Sequence, residues 1–460
     1  MSAVIIAAAV FRSDTTRRAT GSKHYSGLGR AAVRVAMGAV VAALIMGFHL
    51  RSAQEFHGRV LHQIRSTGHE LALSDLFPRW YGARRLLGGE NPYAAAFTAD
   101  LQRAYYGRTL DPEEEIRLFR SRLGFFYPPY VVLPLLPVLA LPFELARWLT
   151  VAALTALVGG SVAAWLRTSA AKLSTRQKVL SVLLVVTFSP LFDLLWLQQL
   201  SGVVMAYLVG AHIAASRGKY LLCGSLLALS MIKPQLAVLP AAGLLFWGVW
   251  DRRRYPIMGS FAAVMILQLV LAHVLMPNWL GAFFEEVGRY RESNSGLYWL
   301  PAMLAGDNTG GALYIAIPLL ALLFCAWWRC RHAEASEHIF LANGSLAFAV
   351  AVAVLPADSV LYNKTLLLIP IVYLITAGLG RRLLGRLVVL LAAVSVGMLA
   401  FAMGVAGWLG MTGFEHLARV ASLGSTVGYL VLPIVVAGAV AARSLLSSSM
   451  APGWPDPRAI

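Results

Sequence analysis

One carboxylate, two lysines and several hydrogen-bonding groups stand beside apolar runs in this chain. The carboxylate is Asp75, in Ser74-Asp75-Leu76-Phe77-Pro78-Arg79-Trp80-Tyr81, at the head of a stretch that reads as a short amphipathic helix from Pro78 to Leu87. Gly88-Gly89 stops that helix and Asn91-Pro92 makes a turn. The ordinary job for an Asp in this place is a helix cap. Lys233 lies in Ser230-Met231-Ile232-Lys233-Pro234-Gln235, and Lys364 closes Leu355-Pro356-Ala357-Asp358-Ser359-Val360-Leu361-Tyr362-Asn363-Lys364. A lysine at a helix end can also snorkel, with no further role. Two amides occur together in Gln198-Gln199-Leu200-Ser201-Gly202, and a run of rings in Phe125-Phe126-Tyr127-Pro128-Pro129-Tyr130, where interfacial anchoring is the plain alternative. Each group is weak alone. Together they form a set that can hold a phosphate and take a proton from a hydroxyl.

The elements that must position them are membrane helices. Of 460 residues, 58% are hydrophobic and 13% charged, about half the charge of a soluble domain. The apolar runs are continuous and not alternating, which excludes a β-barrel. The first runs from Val35 to Leu50. Others follow near 127–142, 145–166, 179–197, 201–216, 220–232, 234–250, 256–276, 312–328, 339–355, 364–378, 387–407 and 420–442. Several fall short of the roughly 20 residues a straight crossing needs, so some spans borrow flanking residues or are broken. The run at 127–142 contains Pro128, Pro129, Pro134, Pro137 and Pro142, which break the i→i−4 ladder, so it reads as re-entrant or part of a broken span. The expectation is an all-α polytopic membrane protein with about 12 transmembrane helices, 11–13 in all.

The formal charge of +17 could suggest nucleic acid, but the cations sit mainly in short links between apolar runs, where topology signals belong. Basic links at 167–178, 217–219, 251–254, 329–332 and 381–386 go to the cytoplasm. The links at 51–126, 197–201, 277–311, 356–363 and 408–419 then face the periplasm, where the polar residues gather. This divides the chain into a disordered cytoplasmic tail at 1–30, one membrane domain at 31–445 and a cytoplasmic tail at 446–460. The first periplasmic loop is 51–126 and the second large one 277–311. The second carries Glu285-Glu286, Arg289, Tyr290 and Trp299, suited to an acceptor, though its first half also reads as an interfacial amphipathic helix. Cys223, Cys325 and Cys330 have poor zinc spacing and read as free thiols. Asp111 and Glu113 to Glu115 read as a solvated helix start, so no metal or other cofactor is expected.

These segments, in this order, resemble glycosyltransferase family 87, a branch of the GT-C superfamily of polyprenol-phosphate-sugar-dependent enzymes. The resemblance covers about residues 70–375. It is carried by Asp75, Trp80-Tyr81, Ala83, the turn Gly88-Gly89-Glu90-Asn91-Pro92-Tyr93, then Tyr127-Pro128-Pro129 and Lys233-Pro234. Where the family pattern has Gly-Gln-x-Asn, this chain has Gln198-Gln199-Leu200-Ser201. Its late Ser-Pro motif reads Leu355-Pro356, with Tyr362 where many members have His.

The resemblance implies a GT-C-type fold in the inner membrane and a one-step inverting transfer at the periplasmic face. The donor would be a polyprenyl-phosphate-linked sugar, mannose being the usual one, and the acceptor a lipid-linked or envelope glycan. Membrane lipids are the other partner. Asp75 would be the general base. Lys233, Lys364, Arg79 and Arg84 would hold the donor phosphate. Tyr81, Tyr127, Gln199, Tyr362 and His416 would meet sugar or acceptor. The competing reading is a transporter or flippase of lipid-linked sugars. Such proteins tend to carry paired broken helices in two repeated halves, and the Pro-rich run at 127–142 has no counterpart later in the chain.

Overall fold

The computed structural model describes residues 74–119, 122–168, 188–293, 309–334, 338–354, 361–376 and 434–441, with Gly47, Gln177 and residues 181, 182, 184 and 185. No strand occurs among the described residues. The expected tails at 1–30 and 446–460, the run from Val35 to Leu50 apart from Gly47, the run at 387–407 and His416 lie outside them.

Three short helices come first: α1 (Leu76–Leu87), α2 (Ala95–Tyr106) and α3 (Pro112–Phe119). Pro78 is tolerated in α1 because first-turn amides have no intrahelical partner to lose. Gly88 and Gly89 end α1 by donating to the Arg84 carbonyl at 3.1 Å and the Leu86 carbonyl at 3.0 Å. Gly89, at φ +81°, takes the left-handed conformation that terminates helices. Asn91 then accepts the Tyr93 amide at 2.9 Å, closing the expected turn. Leu76, Phe77, Ala83 and Leu86 make the buried face of α1, packed with Phe97, Leu101 and Tyr105 of α2 into a cluster that also takes in Leu135 and Phe143. A loop of this composition is therefore folded onto the bundle.

The proline-rich run becomes a 3-10 turn (Pro129–Val131), then α4 (Val132–Leu139), with a break before α5 (Phe143–Thr168). At 26 residues, α5 extends about 39 Å. Next come α6 (Ser189–Trp196), α7 (Ser201–Ser216), α8 (Tyr220–Ser230), α9 (Pro234–Val249), α10 (Pro256–Leu275) and α11 (Trp279–Ser293). Then follow α12 (Thr309–Cys330), α13 (His338–Val354), a 3-10 segment (Leu361–Leu367) and α14 (Leu368–Thr376). α8 packs against α7 and α10, α7 against α5, and α13 against α9, α12 and α14. The 3-10 segment Leu361–Leu367 packs on α6.

Among the described residues, three helices are long and apolar enough to cross a membrane: Phe143–Thr168, Arg252–Leu275 (the Arg252–Arg254 turn with α10) and Leu313–Cys330. α6 and α7 pass the same test as a pair, bent by 118° at the break between Trp196 and Ser201. Shorter apolar helices cover Pro129–Leu139, Tyr220–Ser230, Pro234–Val249, Phe340–Val354 and Tyr362–Thr376. Several runs read in the sequence as separate spans are thus short or bent pieces. The window of the Arg252–Leu275 helix is only 17% buried, and Ile266, Leu267, Val270 and Val274 point outward, as lipid-facing side chains do.

The acidic run differs from the solvated helix start expected of it. Glu114 pairs with Arg108 at 2.6 Å, but Glu115 is buried, accepting the Leu123 amide at 2.8 Å and the Tyr106 hydroxyl at 3.4 Å. Burial pushes its carboxyl above the usual range, against the pull of these donors. It fastens the end of the loop.

Close helix packing gives the first test. A Cβ at Gly224 of α8 would collide with the Ile257 carbonyl of α10, whereas one at Gly160 of α5 meets nothing within 4 Å. Gly224→Ala is expected to destabilise by about 1–3 kcal/mol, and Gly160→Ala to leave stability equal or higher. Thermal unfolding in detergent reads both; equal midpoints for the two would contradict this packing.

Candidate active site

The bend between α6 and α7 creates the site. Gln198 occupies φ +50°, a left-handed conformation uncommon for a residue with a side chain. Glycine would adopt this conformation without steric cost. Here the side chain compensates with bonds. Gln198 accepts the Ser74 hydroxyl, and its amide donates to the Leu195 carbonyl at 2.9 Å and to the Trp196 carbonyl. The Asp75 amide donates to the Leu197 carbonyl at 3.1 Å. The head of α1 is thereby pinned to the bend through both side chain and backbone. Tyr105 adds a clasp from α2, its hydroxyl accepting the Ser74 amide at 2.5 Å.

Asp75 stands at the N-cap of α1, but its side chain makes no cap bond. Its Oδ2 instead accepts the Gln199 side-chain amide. The Gln199 carbonyl in turn accepts Arg79 Nη2 at 3.1 Å, and the same Nη2 lies 4.0 Å from Asp75 Oδ2. Gln199 is fully buried, while the Asp75 side chain is 41% exposed. The Arg79 guanidinium sits 4.7 Å over the Tyr127 ring and within electrostatic reach of Tyr362. Arg79 is 8% exposed, and its Nη1 has no hydrogen-bond partner among the described residues. Carboxylate, amide and guanidinium are therefore oriented as one unit.

A second knot lies at the start of α7. Lys233 Nζ donates to Ser201 Oγ at 2.9 Å and to Asn363 Oδ1 at 2.8 Å, and Ser201 Oγ donates to Asn363 Oδ1 at 2.7 Å. The ammonium also lies 4.7 Å from the Tyr362 ring. Lys233 is 4% exposed, and the Lys233–Pro234 step starts α9, with proline at the first helical position. The knot joins α7, α9 and the Leu361–Leu367 segment. Lys364 is buried in that same segment, next to Asn363.

The structure thus brings together Asp75, Arg79, Tyr127, Gln199, Lys233 and Tyr362, and puts Lys364 in the adjoining segment. It does not bring Tyr81 or Arg84 to them. Tyr81 stacks on Phe77 at 5.7 Å and accepts a bond from Arg85 at 2.8 Å, on another face of α1. Arg84 donates to the Leu139 carbonyl at 3.0 Å and stacks over Trp80, tying α1 to α4. On α11, Arg289 pairs with Glu286 at 2.7 Å and donates to the Tyr93 carbonyl at 3.2 Å, while Tyr290 packs 4.4 Å from Phe126.

Two groups go beyond the sequence reading. Asn363 was visible in its segment but had no role there; it is the acceptor at the centre of the lysine knot. Asp193 is the lone charged residue of the apolar run 179–197, a signal that marks function by default. It stands on α6, one turn before Leu197, and interacts electrostatically with Asp75. Among the described residues no three His, Cys, Asp or Glu side chains come together as a metal site would need.

The sequence model of glycosyltransferase family 87 matches residues 125–356 of this chain. Among solved structures, the chain is similar to ArnT from Cupriavidus metallidurans, crystallised bound to undecaprenyl phosphate. The identity is 13% over 92% of this chain and 82% of that one, with a TM-score of 0.39. Curated protein sequences give no match.

The lysine knot makes a checkable prediction. Lys233→Met and Asn363→Leu should each lower thermal stability, because each leaves buried partners unsatisfied at a cost of about 1–3 kcal/mol. The double variant should fall well short of the sum, with a coupling of about 1 kcal/mol or more. Strict additivity would show that the two side chains do not act together.

Proposed function

Since the chain belongs to glycosyltransferase family 87, we propose that it moves a sugar, mannose, from a polyprenyl-phosphate-linked donor to a hydroxyl of a lipid-linked or envelope glycan. The transfer takes place at the periplasmic face of the inner membrane and inverts the anomeric centre. The observation that carries this reading is the state of Asp75. It sits at a helix N-terminus yet caps nothing, it is held by Gln199, and it keeps an exposed edge.

In the proposed reaction the acceptor oxygen attacks the anomeric carbon while Asp75 takes its proton. The new C–O bond forms as the bond from that carbon to the phosphate oxygen breaks, and the electron pair leaves with the phosphate. General-base help of this kind contributes about 10²–10⁴-fold. Charge building on the leaving phosphate is met by Arg79, whose Nη1 has no hydrogen-bond partner among the described residues, by Lys233, which shares the Tyr362 ring as neighbour, and by Lys364. A preorganised donor aimed at developing charge is worth roughly 3 kcal/mol. Arg79 suits a planar contact to phosphate and the lysines point contacts. Tyr127 and Tyr362, whose rings lie against Arg79 and Lys233, are assigned to sugar hydroxyls, while the Gln199 amide holds Asp75 and Arg79. Arg84 and Tyr81 are assigned to holding α1 in place.

The test is transfer of label from radiolabelled polyprenyl-phosphate-mannose to membrane lipids and glycans. Asp75→Asn should bind donor as the wild type does and lose transfer by at least about 100-fold. Near-normal turnover in that variant would sink the assignment of the base. A wild type that moves donor across a vesicle membrane without releasing free polyprenyl phosphate would support transport instead. Lys364→Met should weaken donor binding more than Lys364→Arg; equal effects would mark a structural lysine.

A further inference from the structure

At the end of the bundle away from Asp75, α9 runs out at Val249 and α12 at Cys330, and the two ends meet over a pair of tryptophans. Trp250 and Trp328 stand edge to face with centroids 5.4 Å apart, and are 38% and 45% exposed. Arg331 lies across both, 4.4 Å from the Trp328 ring and 5.6 Å from Trp250, and donates to the Trp328 carbonyl at 2.6 Å. His332 flanks Trp250 at 5.7 Å, and the exposed Arg252 and Arg253 follow in the turn that starts the next span.

These cations are not on a loose link. Behind them Arg254, 3% exposed, stacks 3.8 Å over Trp247 and donates to the carbonyls of Arg331 and Ala333, each at 3.2 Å. Trp247 Nε1 donates to the same Ala333 carbonyl at 2.9 Å. The ends of α9, α10 and α12 are thereby clamped into one surface. Asp251 accepts the Arg253 amide at 2.9 Å and pairs with the buried Arg254 at 3.5 Å, and Glu334 is exposed after Ala333, so Arg252, Arg253, Arg254 and Arg331 outnumber the carboxylates here. Val249 and Phe324, both more than half exposed, continue this surface as apolar flank.

Exposed indole rings beside fixed arginines, at the rim of an apolar flank, match the chemistry of a phospholipid. Indole favours the zone between headgroup and chain, and guanidinium grips phosphate through paired donors. A soluble acidic partner would have no use for the apolar flank. We propose that this surface binds the headgroup of an anionic phospholipid, with the phosphate at Arg331 and Arg252–Arg253 and the glycerol and upper chain against Trp250 and Trp328. The site lies apart from Asp75 and does not rest on the transfer chemistry.

The experiment is titration of the delipidated, detergent-solubilised full chain with phosphatidylglycerol and with phosphatidylcholine of the same chains, read by native mass spectrometry. The wild type should bind phosphatidylglycerol at least about tenfold more tightly. Arg252→Gln with Arg253→Gln should weaken it by roughly fivefold per arginine. Trp250→Ala with Trp328→Ala should weaken both lipids. Arg217→Gln with Lys219→Gln removes the same charge from the exposed link between α7 and α8 and should change nothing. Equal binding of the two lipids by the wild type would overturn the proposal, as would equal losses in the two charge-removing variants. Thermal midpoints within a few degrees of wild type identify the variants that are folded and therefore decide.

Discussion

A carboxylate at the edge of an apolar bundle needs a fixed orientation without losing its access, and the side-chain amide of Gln199 provides this. One end of that amide donates to Asp75 and the other accepts from Arg79, so carboxylate and guanidinium are set by the same planar group. An amide can do this because it is donor and acceptor at once. A direct ion pair would pull the two charges into contact and close the exposed edge of Asp75. The observed 4.0 Å separation, bridged by a neutral group, keeps them paired but apart.

Much of the surrounding architecture follows from the need to bury Gln199 next to a loop helix. α6 and α7 form a pair bent by 118°, and the bend lies where Gln198 takes its left-handed conformation. A straight helix through this point would hide Gln199 within the bundle, out of reach of α1. The bend also brings Ser201, one turn later, to Lys233 and Asn363, so three helical elements meet there. A buried lysine among neutral oxygens is costly unless its bonds are well made. The knot makes them while keeping positive charge near the Asp75 unit.

The sequence marked the candidate residues more clearly than their packing. Asp75, Lys233 and the Gln198-Gln199 pair stood out because polar residues beside apolar runs are expensive. Their convergence could be read only as a shared membrane face, since residues 75, 199, 233 and 364 are far apart in the chain. Helical periodicity separates the α1 residues after the fact. Arg79, four residues on from Asp75, shares its face; Tyr81 and Arg84 do not, and they bond to neighbouring elements instead. That distinction was available from spacing alone. The central place of Asn363 was not, because it arises from a 3-10 segment docking on α6. The bent and shortened spans were half legible: proline density marked the break near 129–139, whereas the break at 197–200 carries no proline, and its only local signal is the polar Gln198-Gln199 pair in an otherwise apolar run.

The measurement that bears most directly on this account is the turnover of Gln199→Leu, with donor affinity determined on the same preparation. Leucine keeps the volume but removes both halves of the bridge, so Asp75 and Arg79 lose their common orientation while neither charge is deleted. The account predicts donor binding within about threefold of wild type and a fall in turnover of at least about tenfold, the scale set by misplacing a general base. Turnover equal to wild type in a folded Gln199→Leu protein would contradict it, because the carboxylate would then act without the group that holds it.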